Sequence, residues 1–129
     1  MVSKVTGGIL VQVKTLYIPE ESNPDGNYFF FAYTVTIQNL CEDPVQLLSR
    51  HWVIMDDKGR VEEVRGPGVV GKQPHISPNQ SFEYTSFCPL KTQTGSMQGS
   101  YEMTRNSKTF HAEIPEFQLI KPGSLGLLH

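Results

Sequence analysis

The residues with the most chemical potential lie together, in Arg65-Gly66-Pro67-Gly68-Val69-Val70-Gly71-Lys72. Gly66, Gly68 and Gly71 reproduce the spacing G-x-G-x-x-G, with Arg65 and Lys72 as flanking cations. Glycines let backbone N–H groups approach a phosphate closely, and two cations complement its charge. The dinucleotide version of this string also needs a strand before it and a helix after it. Here Lys72-Gln-Pro-His-Ile-Ser-Pro78 follows, which cannot start a normal helix, and Pro67 removes one donor. A Rossmann-type site is excluded. What remains is a conformationally demanding loop between sheets, with a small anion such as a polyphosphate as its candidate ligand.

Other reactive residues form weaker patterns. His51 and His111 both fall on strand faces opposite large apolar neighbours, so both are expected at the surface, where a transition metal would need them to meet. The acidic pairs Asp56-Asp57 and Glu62-Glu63 carry oxygen ligands suited to magnesium, but a turn and an edge strand account for them. No metal ligand set is assigned. Ser49, Ser86, Cys41 and Cys88 offer nucleophiles, yet none lies in a nucleophile elbow or beside a base fixed by a motif. No catalytic residue and no cofactor are assigned. Arg50 is expected to pair across strands with Glu62 or Glu83.

The elements that position these residues have a period of two. In Tyr28-Phe-Phe-Phe-Ala-Tyr-Thr-Val-Thr-Ile-Gln-Asn39, one face carries Phe29, Phe31, Tyr33, Val35 and Ile37. Aromatic and β-branched residues in this alternation form a strand. Tyr28 and Phe30 fall on the other face, where they extend the apolar surface outward toward a covering loop or a partner. Further strands are predicted over Ile9–Tyr17, Val45–Met55, Arg60–Arg65, Ser81–Ser86 and Ser96–Thr104, with a last one around Phe110–Ile114 that stops at Pro115. Turn residues separate them, including Asp56-Asp-Lys-Gly59. No segment carries a helical repeat of ten residues. About seven strands so spaced predict an all-β sandwich of two antiparallel sheets, of the immunoglobulin or fibronectin type III kind. Residues 9–119 form the domain, with a flexible stretch at 1–8 and a frayed tail at 120–129.

Composition narrows the function classes. The 129 residues carry 11 basic and 13 acidic side chains, a formal charge of −2. Nucleic-acid binders need a basic excess to neutralise phosphates, so a nucleic-acid partner is not expected. No run approaches the roughly 18 to 20 apolar residues that span a bilayer, so neither is a membrane partner. Only two cysteines occur, Cys41 and Cys88, without metal-binding spacing. This sparse cysteine usage and the lack of a secretory pattern at Met1–Gly8 point to the cytoplasm.

An ordered set of segments resembles the ApaG family. They are Pro44-Val-Gln-Leu-Leu-Ser-Arg-His-Trp52, Gly59-Arg-Val-Glu-Glu-Val-Arg-Gly-Pro-Gly-Val-Val-Gly71, Phe82-Glu-Tyr-Thr-Ser86, Gly95-Ser-Met-Gln-Gly-Ser-Tyr101 and Ile114-Pro-Glu-Phe117. The resemblance extends over about residues 9 to 119. The resemblance implies a fibronectin type III-like fold, in agreement with the strand pattern. It implies less about activity, since fold and function separate readily. The family occurs as small bacterial proteins and as a domain of eukaryotic F-box proteins, where it looks like an interaction module. Its bacterial members are linked to magnesium and cobalt handling, and its name reflects a gene neighbour that hydrolyses diadenosine polyphosphates.

Two functions therefore stay open. One is a non-enzymatic binding module that contacts a protein, or a second copy of itself, through a surface that includes Tyr28 and Phe30. The other is a sensor that holds a polyphosphate nucleotide or divalent cation at Arg65, Gly66, Gly68, Gly71 and Lys72.

Overall fold

In a computed structural model, residues 1–124 form two antiparallel sheets packed face to face. Nine strands occur in chain order: β1 (Val2–Thr6), β2 (Ile9–Tyr17), β3 (Phe29–Asn39), β4 (Val45–Asp56), β5 (Val61–Pro67), β6 (His75–Ile76), β7 (Ser81–Leu90), β8 (Thr94–Arg105) and β9 (Lys108–Ile120). The first sheet runs β1-β2-β3-β7 and the second β5-β4-β8-β9, with β6 pairing on the β5 side of β4. The only helical turns among the described residues are single 3₁₀ turns at Pro19–Glu21 and Pro24–Gly26. The expected sandwich is therefore present, with nine strands rather than about seven.

The two additional strands are short. The stretch 1–8, expected to be flexible, contributes β1, which folds back on β2 through the two-residue turn Gly7-Gly8. A Gly-Gly pair between two alternating runs is a hairpin signal in its own right. Lys4 of β1 forms an ion pair with Glu113 of β9, which closes one side of the sandwich. At the other terminus Ile120 ends β9, and Ser124 donates its N–H back to the Lys121 carbonyl. The rest of the expected tail, 125–129, lies outside the described residues.

Pro115 does not stop the last strand. Two residues of β8, Met97 and Gly99, pair with Phe117 and Ile114, so β9 carries one residue more than β8 over this interval. Pro115 sits in that bulge, one of the few places where a strand tolerates a missing N–H. Pro89 is accommodated differently, near the end of β7, an edge strand.

The core lies between the sheets. Phe29, Phe31, Tyr33, Val35 and Ile37 of β3 are all buried, as their alternation predicts. Trp52 packs edge to face on Tyr33, Tyr101 and Phe117, with ring centroids 5.3, 6.4 and 5.8 Å away. Each such pair adds about 0.5–1.5 kcal/mol beyond its burial. Asn39, fully buried at the end of β3, donates to the carbonyls of Asp43 and Ile76 and accepts the Cys41 N–H through its side-chain oxygen. Its amide thus ties β3 to β6 in the opposite sheet with no buried polar atom left over.

A second bulge, in β4, sets up the site described next. The pairing of β4 with β8 shifts between Leu47 and Ser49, which leaves Leu48 as the extra residue. Before it Val45 and Leu47 point inward; after it Trp52 does, so the inward parity switches from odd to even.

Candidate functional site

The glycine loop leaves β5 at Pro67 and rests on the β4 bulge. Gly68 donates its N–H to the Leu48 carbonyl at 2.8 Å, and Gln73 donates its side-chain amide to the same oxygen at 2.9 Å. Val69 and Lys72 then exchange both backbone hydrogen bonds, at 2.8 and 2.9 Å, around a tight turn at Val70 and Gly71. Gly68 has φ +60°, and a Cβ there would lie 2.2 Å from the Lys72 carbonyl oxygen. Its neighbour Val69 is buried in the core and anchors the loop.

These bonds decide what the loop offers a ligand. The N–H groups of Gly68, Val69 and Lys72 already have backbone acceptors. A phosphate cradle needs such donors to converge on an open space. The flanking cations also part company. Arg65 lies on the outer face of β5, 3.9 Å from a Glu63 carboxylate oxygen. It lines an outer cleft of about 500 Å³ together with Ser49, Arg50, His51, Glu102 and His111, in which Lys72 takes no part.

Arg50 takes a role other than the expected ion pair. The bulge turns it inward, opposite Gly66 on β5 and Tyr101 on β8. Its Nη1 donates to the carbonyls of Pro67 and Gly68 at 2.9 and 3.0 Å, and Gly66 leaves room for the guanidinium against the backbone. Glu83 instead accepts a hydrogen bond from Thr36, and no carboxylate among the described residues pairs with Arg50.

The other predicted site is more coherent. Phe30 lies on the outer face of the four-stranded sheet, stacked on Tyr28 at 6.2 Å and on Phe87 at 5.4 Å. Leu16 and Phe87 flank Ala32 in the ladder and share its face. Phe87 is 56% exposed, Leu16 64% and Tyr28 41%. Farther along this face the apolar residues give way to a polar ladder, Thr34 with Thr85 and Thr36 with Glu83. The patch thus occupies one end of the sheet. The exposed carboxylates Glu20, Glu21 and Asp25 lie in the adjoining 3₁₀ turns, and Ile18 between them and β2 donates its N–H to the Phe30 carbonyl.

A family model described as the ApaG domain matches residues 19–105. The chain belongs to the ApaG family. A protein ApaG of Bdellovibrio bacteriovorus is 56% identical over 116 residues, covering 89% of this chain and 91% of the relative. One from Pseudomonas aeruginosa is 55% identical over 116 residues, covering 89% and 92%. The crystal structure of a Bordetella pertussis protein described as ApaA superposes with a TM-score of 0.87 at 46% identity, covering 90% of this chain and 95% of that one.

Among the described residues the reactive side chains take the following partners. Ser49 donates its hydroxyl to Glu102 at 3.1 Å rather than to a histidine. His51 and His111 do line one cleft, but among the described residues no three His, Cys, Asp or Glu side chains are grouped to hold a metal ion. The nearest acidic atom to His51 Nε2 is a Glu63 oxygen at 3.8 Å, beyond hydrogen-bond length. Both cysteines are free thiols, and burial pushes the Cys88 thiol up to about 12, which leaves it un-ionised and unreactive at neutral pH.

Two residues of the ApaG patch escape the sequence reading, Leu16 and Phe87. Phe87 has a signal: it follows the core-facing Phe82 and Tyr84 at odd spacing, so a strand continued beyond Ser86 places it outward. Leu16 has none, because an exposed leucine at a strand end is ordinary.

Proposed function

We propose that this ApaG-domain chain is a non-enzymatic binding module that docks a protein partner on the outer face of its four-stranded sheet. The observation that carries this reading is the contiguous Tyr28–Phe30–Phe87 stack with Leu16 beside it. Clustered exposed aromatics of this kind mark interaction surfaces, whereas scattered single apolar residues do not. The polar ladder that bounds the patch limits the apolar contact to one end. Glu20, Glu21 and Asp25 have no cationic partner among the described residues, which favours a partner with an apolar centre and a basic rim on that side. Free cysteines suit a reducing compartment, so the partner is sought in the cytoplasm.

The polyphosphate reading of the glycine loop has less behind it, since three of the loop's N–H groups are occupied within the protein and the cleft that Arg65 lines does not include Lys72.

A photo-crosslinking amino acid at Leu16 is expected to trap a specific cytoplasmic protein in cells, and the same group at Lys14 on the polar part of the face is not. Phe87→Glu is expected to abolish the adduct while changing stability by no more than about 1 kcal/mol, since the side chain is exposed. Adducts that persist in Phe87→Glu, or that form equally from Lys14, would remove the patch as the docking surface. Adducts with the chain itself would make the occupant a second copy.

A further inference from the structure

The side of the sandwich opposite the β1–β9 contact stays open. There β5 ends one sheet and β7 the other, and between these edges lies a crevice of about 260 Å³. Tyr33 and Trp52 form its aromatic wall, with Met97 at their side and Ser86 on the β7 edge. Arg50 and Glu62 line it from the second sheet. Four strand positions separate Arg50 from the residue that pairs with Glu62, about 13 Å along β4.

Arg50 is the unusual member. Its two hydrogen bonds to the Pro67 and Gly68 carbonyls both come from Nη1 and fix the guanidinium in place. Among the described residues neither Nε nor Nη2 donates to an acceptor, and no carboxylate pairs with the charge. A guanidinium offers its donors as a planar fork that matches a carboxylate. The pairing expected of Arg50 from sequence is thus left for something outside the protein to make.

We propose that this crevice binds a small aromatic monocarboxylate, with its ring against Tyr33 and Trp52 and its carboxylate on Arg50. The volume is slightly below the usual range for ligand pockets and suits one ring rather than a nucleotide. Glu62 at the far end disfavours a second negative charge, which separates this ligand class from polyphosphates. The crevice borders the docking patch: Phe87 lines its rim while stacking on Phe30, and Ser86, the residue before it on the same strand, lines it too.

Trp52 is the chain's single tryptophan and is 3% exposed, so its fluorescence reports on the crevice directly. Benzoate is the probe, at constant ionic strength with acetate as the balancing anion. A saturable change in Trp52 emission is expected, with a Kd on the order of 1 mM for so small a ligand. Benzylamine, of the same shape and opposite charge, is expected to give none. Arg50→Gln, which keeps a donor for the loop carbonyls, is expected to weaken benzoate at least about tenfold. Ser86→Phe, which fills the crevice from the other sheet and leaves Arg50 intact, is expected to abolish binding, and circular dichroism checks that each variant is folded. The proposal is overturned by a strictly linear benzoate response, by equal binding of benzylamine, or by unchanged benzoate affinity in a folded Ser86→Phe.

Discussion

Tyr84 of β7 and Tyr101 of β8 hydrogen-bond hydroxyl to hydroxyl across the interior, joining one sheet to the other. Tyr101 has no exposure at all and Tyr84 has 7%. The two substitutions to phenylalanine therefore differ. Tyr84→Phe leaves the Tyr101 hydroxyl buried with no partner and is expected to cost about 2 kcal/mol. Tyr101→Phe leaves the Tyr84 hydroxyl nearer to water and is expected to cost about 1 kcal/mol. The double variant is expected to lose less than the two single losses combined, because no orphan remains. Urea unfolding of all four proteins measures this. Additive losses would mean that the hydroxyls act independently.

Alkali should unfold the protein through the same interior. Burial raises Tyr33, Tyr84 and Tyr101 above the ordinary tyrosine value of 10.0, and it raises Cys88 from 9.0 to about 12. The unfolded chain thus releases these protons at lower pH than the folded one. Their contribution is fully present below the unfolded values and is lost as pH rises toward the folded ones. Stability is expected to fall from about pH 9, first through Cys88 and then more steeply from about pH 10 through the tyrosines, with a limiting slope of about 1.4 kcal/mol per pH unit for each group. Cys88→Ala is expected to move the onset to about pH 10. An unchanged onset in that variant would show that Cys88 does not titrate in this range.

Two glycines of the same loop are expected to respond unequally to alanine. Gly68 and Gly71 both have positive φ, +60° and +78°. A Cβ at Gly71 meets nothing within 4 Å, so Gly71→Ala is expected to cost only the backbone term, about 1 kcal/mol. At Gly68 the Cβ would collide with the Lys72 carbonyl, and the turn must shift off the β4 bulge. Gly68→Ala is expected to cost about 3 kcal/mol in thermal or urea unfolding. Equal losses would mean that the loop relaxes without leaving its anchor.

Some of this protein is written in short-range pattern. The alternation of Phe29 through Ile37 sets a strand with one buried face, because successive side chains of an extended chain point to opposite sides. The same rule places Met97, Tyr101 and Met103 together, and it puts Tyr28 and Phe30 outside. Gly7-Gly8 carries a hairpin signal that the reading of residues 1–8 as flexible passes over, and the parity change from Val45 and Leu47 to Trp52 emerges only in the fold.

The sites were legible only in their residue types. The string Gly66 to Gly71 marks a demanding loop, though one that joins β5 to β6 within the second sheet rather than crossing between sheets, and local pattern cannot say which acceptors its N–H groups find. Leu48, 20 positions before Gly68, supplies one of them through a carbonyl freed by a bulge. Arg50 reads as a cross-strand partner for Glu62 or Glu83 because that is what a strand guanidinium usually does. The bulge turned it inward, and tertiary contact gave it two backbone carbonyls and no carboxylate. By itself the sequence determined the strands, their buried faces and the class of fold. Only the tertiary structure decided which edges close, where Pro115 is tolerated and which polar groups remain free. Alternation and turn chemistry act over a few residues, whereas hydrogen-bond satisfaction and the space between sheets depend on groups brought together from distant parts of the chain.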